Sequence, residues 1–80
     1  MKVLYWDFFG PRAKGTADHF CIHLKEFFEQ NKLEFDSLGN EYISASHSAA
    51  WCKVSDEVYP AASKALKPKR WNEEPPQATL

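Results

Sequence analysis

One stretch constrains the fold more than any other: TADHFCIHLKEFFEQN, residues 16–31. Apolar side chains recur at Ala17, Phe20, Cys21, Leu24, Phe27 and Phe28, the spacing of a single helical face. The rest of the helix surface is mostly polar or charged. A helix with one apolar stripe must bury it against another layer. Thr16 is the expected N-cap, with Asp18 favourably placed in the first turn. Asn31 is expected to end the helix in the left-handed region, with Leu33 folding back onto it.

The segments around that helix supply the layer. KVLYWDFF (2–9) is β-branched and aromatic and stops at Gly10-Pro11, so it reads as a strand. Leu4, Trp6 and Phe8 share one face; Val3, Tyr5, Asp7 and Phe9 share the other. Both faces are largely apolar, which suits a central strand, and Asp7 marks the wetter side. Two further strands are expected near 40–44 and 49–54, joined by a turn in SASHS (44–48), with 33–39 as a connection or short strand. Gly39-Asn40 is a second turn candidate. SDEVYPAASKAL (55–66) reads as a second helix with an apolar stripe of Val58, Ala61, Ala62, Ala65 and Leu66. Pro60 must lie in its first turn, so the helix starts near Glu57 and ends before Pro68. Residues 69–71 form a short edge strand or only pin Trp71 to the body.

The order is β-α-β-β-α, with an optional final β. It predicts an α+β two-layer sandwich: an antiparallel sheet with two helices on one face, most simply in the ferredoxin-like arrangement. One domain is expected over 1–71. A flexible tail is expected over 72–80, where two adjacent prolines and little apolar surface offer nothing to bury.

Eighty residues bury a thin core. Six Phe, three Trp and three Tyr are more aromatic surface than such a core easily takes. An exposed apolar surface is therefore expected, and with it a protein partner or self-association. Ten Lys and Arg against eleven Asp and Glu disfavour nucleic acid as the main partner. No apolar run approaches the ~18 residues of a membrane span. No signal peptide is read at the start, and two cysteines make no disulfide framework, so cytoplasmic thiols are expected.

The motifs with chemical potential are few. GPRAKGT (10–16) joins a strand to a helix, the usual place for an anion site, with Arg12, Lys14 and Thr16 as candidate contacts. It superficially resembles a Walker A loop but has Thr16 where that loop has Lys, and Pro11 has no N–H to offer. The acylphosphatase-type loop fails too, because its glycine spacing differs and no Arg follows Phe20. A plain turn is the expectation. His19 and His23, four apart on a helix, can meet one ion, and Glu26 extends their row as a candidate oxygen ligand. Without an established third ligand they are read as solvated histidines, and neither metal nor cofactor is expected. Cys21 and Cys52 are expected to be small core hydrophobes. Asp7 is a candidate perturbed carboxylate, should Trp6 and Tyr5 desolvate it. No nucleophile–base pair emerges, so no catalysis is expected.

Two surfaces remain. In the ferredoxin-like order, Tyr5, Asp7 and Trp51 fall on the sheet face away from the helices and make the first candidate interface. The second is KALKPKRW, where Lys64, Lys67, Lys69 and Arg70 flank Trp71 and offer a weak anion or nucleic-acid site. That patch is expected at the opposite end of the sheet from Arg12 and Lys14. The functional expectation is a small non-catalytic domain that acts through a protein interface and self-associates. Anion binding at 64–71 comes second, and metal binding by His19 and His23 third.

Overall fold

Strand β1 (Lys2–Phe9) occupies the middle of the sheet because it has apolar groups to bury on both sides. In the computed structural model, which describes residues 1–73, it is flanked by β3 (His47–Val54) and β4 (Arg70–Glu73). Strand β2 (Ser37–Ser44) lies outside β3, giving the order β2-β3-β1-β4 with all neighbours antiparallel. Helix α1 (Ala13–Gln30) and helix α2 (Tyr59–Leu66) cover one face. This is the α+β two-layer sandwich expected, in the ferredoxin-like strand order.

The core lies between these layers. Leu4 and Trp6 from β1 and Ala50, Cys52 and Val54 from β3 meet Ala17, Leu24 and Phe28 of α1 and Ala62 of α2. Phe20 packs on Trp6 at 5.1 Å and on Phe8 at 5.5 Å between ring centroids. The Trp6 indole N–H donates to the carbonyl of Leu66 at 3.0 Å, which satisfies a polar group that burial would otherwise strand.

Several boundaries differ from expectation. Helix α1 starts at Ala13, so Thr16 is not its N-cap but donates its amide to the Arg12 carbonyl inside the first turn. Ala13 is buried and extends the stripe back one turn from Ala17. Pro11, with its preset φ, suits the turn that feeds the helix. At the other end the left-handed residue is Lys32 (φ 54°), not Asn31 (φ −97°). Leu33 N–H bonds to Phe28 carbonyl and Lys32 N–H to Glu29 carbonyl, a Schellman motif that satisfies two terminal acceptors.

The hairpin turn is Ala45-Ser46, inside the favoured stretch, but β2 and β3 run longer than expected. Gly39-Asn40 is not a turn. The Trp51 ring lies over Gly39, where an added Cβ would sit 3.0 Å from Trp51 Cζ2. Glycine in this strand thus makes room for the indole. Helix α2 begins at Tyr59 rather than Glu57, with Pro60 in its first turn as required. Strand β4 includes Asn72 and Glu73, which were expected to open the tail; 74–80, the rest of that expected tail, lie outside the described residues.

Candidate functional site

The helix-free sheet face is built by the residues that alternate with the core positions. Tyr5 pairs with Trp51, Asp7 with Ala49 and Phe9 with His47 across β1 and β3. Gly39 faces Trp51 from β2, with Glu41 and Ser37 on either side opposite Ala49 and Lys53. Arg70 of β4 faces Tyr5. Tyr5, Asp7 and Trp51 therefore share one face, as expected. A shallow depression of about 370 Å³ there is lined by Val3, Tyr5, Glu41, Trp51 and Lys53, among others.

Asp7 organises the upper part of this face. Arg70 donates to both its carboxylate oxygens, Nε to Oδ2 and Nη2 to Oδ1, each at 3.0 Å. His47 Nε2 lies 2.9 Å from Oδ1. The Arg70 guanidinium holds the Asp7 carboxyl below the usual carboxylate range; burial opposes this and His47 assists it. The upward shift that desolvation alone would give Asp7 is reversed, because the ion pair outweighs it. Arg70 also sits over the Tyr5 ring, 4.2 Å from its centroid, and Phe9 stacks on His47 at 4.3 Å. Sequence reasoning named Asp7 and Arg70 separately and did not place His47 here. Joining them needs the β1–β4 register, which no local pattern encodes.

The basic stretch 64–71 does not form one patch. Arg70 faces the helix-free side, whereas Trp71 lies on the helix side, 5.7 Å from the Tyr59 ring and 5.4 Å from Lys2 Nζ. Alternation along β4 separates them. Lys67 is the left-handed C-cap of α2, Lys64 lies in its last turn, and the Lys69 amide donates to the Tyr5 carbonyl. The end of α2 and the Gly10 loop lie at the same end of the sheet, not at opposite ends. The reason is that β4 runs antiparallel to β1 and so begins where β1 finishes. The cations there are partly neutralised nonetheless: Lys14 pairs with Asp18 at 3.1 Å and Arg70 with Asp7. Arg12 and Thr16, with Gly15 and His19, line an open depression on the first turn of α1. Asn40 ties β2 to this turn by donating to Asp18 at 2.6 Å, and it, then Lys14, lowers the Asp18 carboxyl's pKa.

On the outer side of α1, His19 Nε2 and His23 Nε2 stand 3.0 Å apart. Glu26 reaches His23 Nδ1 at 3.3 Å, on the far side of that ring, so it is not a third ligand beside the pair. Among the described residues no three His, Cys, Asp or Glu side chains converge as a metal site. Cys52 is fully buried and Cys21 partly so, its Sγ donating to the Gly39 carbonyl at 3.2 Å. No helix among the described residues is long and apolar enough to cross a membrane. No family model matches the chain, and neither a curated protein nor a solved structure matches it.

Proposed function

We propose that this chain is a non-catalytic interaction domain that pairs with a second copy of itself through the helix-free sheet face. The carrying observation is the self-complementary layout of that face. Tyr5 and Trp51 are cross-strand neighbours at its centre. Glu41 and Lys53 lie on either side of the Gly39–Trp51 pair, toward opposite ends of the strands. A twofold axis across the strands, between two stacked faces, brings Glu41 of each copy toward Lys53 of the other. An isologous interface needs this kind of patch, one that matches itself. A thin core gains stability from such pairing.

A reducing compartment such as the cytoplasm suits this reading. Burial pushes the Cys52 thiol up to about 12, making it an inert core sulfhydryl. Sedimentation equilibrium over a concentration series, at low and high salt, tests the pairing. A dimer that persists in high salt is expected. Trp51→Ala should weaken it by roughly thirtyfold or more, as for a central aromatic anchor. Glu41→Lys should weaken it as well, and adding Lys53→Glu should restore it. A strict monomer in both salts would discard self-association, and titration of the 64–71 segment with nucleic acid would follow.

A further inference from the structure

The outer side of α1 carries a second feature, independent of the sheet face. We propose that His19 and His23 form a site for a divalent transition ion of the nickel–copper–zinc group, with Glu26 as the residue that orients it. Three observations carry this.

The first is spacing. Imidazole nitrogens bind such ions at about 2.0–2.1 Å. At ligand–metal–ligand angles between a right angle and a tetrahedral one, the two nitrogens then stand about 2.9–3.4 Å apart. His19 Nε2 and His23 Nε2 are hydrogen-bonded at 3.0 Å, a separation that already falls in this range, so an ion would replace that bond at nearly the same spacing. The rings meet edge to face, 85° between planes and 4.6 Å between centroids, and the two Nε2 atoms face each other.

The second is the support. Glu26 Oε1 sits 3.3 Å from His23 Nδ1. A carboxylate there favours the tautomer with its proton on Nδ1, which leaves the Nε2 lone pair for the metal. Metal-bound histidines are typically held in this way, and the carboxylate raises ligand basicity as well. Glu26 thus sits on the wrong side of the ring for direct ligation and on the right side for orientation.

The third is rigidity and access. Both residues lie inside an eighteen-residue helix whose inner face is fixed in the core by Ala17, Leu24 and Phe28. Their exposure leaves the remaining coordination positions to water or an exogenous donor. This is therefore an open, exchangeable site and not a structural one, which would need four protein ligands. Imidazole-only ligation selects nickel, copper and zinc over the oxygen-seeking calcium and magnesium.

The test is isothermal titration calorimetry of the full chain with Ni²⁺ alone. One ion per chain is expected. His19→Ala and His23→Ala should each lower affinity at least about tenfold, and Glu26→Gln about tenfold through lost orientation. His47→Ala, which removes the remaining histidine, should bind as the parent does. Circular dichroism of each variant checks that α1 is retained. Undiminished binding by His19→Ala, or no saturable binding by the parent, would overturn the proposal. Full affinity in Glu26→Gln would remove the orienting role.

Discussion

The two faces of the sheet are made by the same strands and differ in kind. On the helix-covered face Leu4, Trp6, Ala50, Cys52 and Val54 meet the apolar stripes of the helices. The attraction there is non-directional and scales with area. On the other face Tyr5, Trp51 and Phe9 alternate with Asp7, Arg70 and His47, which are tied by directional bonds. Val3 and Ala49 are buried on that side without a helix above them. The covered face holds the domain together, and the open face sets a pattern of charge and aromatic surface that a partner can read.

The largest effect should come from the covered face. Phe28 is 1% exposed and lies 5.2 Å from the Phe35 ring. Phe28→Ala removes that packing and leaves a cavity, so urea unfolding should show a loss of about 3–5 kcal/mol. A domain this small has little stability to spare, and partial unfolding at room temperature is the expected phenotype. A loss under about 1 kcal/mol would mean the helix layer is not what holds the sheet.

The open face should respond less, and with a pH signature. Arg70→Leu breaks both bonds to Asp7, yet the Arg70 side chain is 44% exposed, so solvent screening should limit the loss to about 1 kcal/mol. The Asp7 carboxyl is held below its ordinary value when folded. Its contribution is therefore fully present above the unfolded pKa of about 4. It is lost as pH falls through the lower, folded pKa. Acid unfolding curves of the parent should steepen in that window, and Arg70→Leu should flatten there. Equal slopes would show that the ion pair does not couple to folding.

What was legible in the chain follows the same division. Element order and the covered face could be read because periodicity is local: Ala17 to Phe28 declares its stripe within four turns. The open face could be read for Tyr5 and Trp51, whose parity is also local. Its polar centre was not legible, since Asp7, His47 and Arg70 meet only through pairing between distant strands. Gly39 offered a second, weaker turn signal whose real reason lies across the sheet, in the Trp51 ring. Thr16 misled as a cap because burial of Ala13 favours starting the helix one turn earlier.

A smaller effect, of opposite sign, sharpens the contrast from within the covered face. Ser48 is 1% exposed, and its Oγ has no hydrogen-bond partner among the described residues. A hydroxyl left in that state is an uncompensated desolvation cost. Ser48→Ala should therefore stabilise by about 1 kcal/mol, read as a higher urea midpoint at unchanged slope. A loss would mean that the hydroxyl is bonded in solution, and that this face is less purely apolar than its neighbours imply.

The smallest change concerns how the covering layer ends. Lys32 holds φ at 54°, a left-handed conformation that costs a residue with a side chain about 1–2 kcal/mol. Glycine removes that strain but gives the unfolded chain more freedom, which returns about 0.4–1 kcal/mol. Lys32→Gly should thus stabilise by only about 0.5 kcal/mol. Thermal unfolding should show a small rise in Tm, with sheet-face pairing untouched because Lys32 lies beyond the sheet. A fall in Tm would mean that the Schellman turn from Phe28 to Leu33 depends on the lysine side chain and not on its backbone alone.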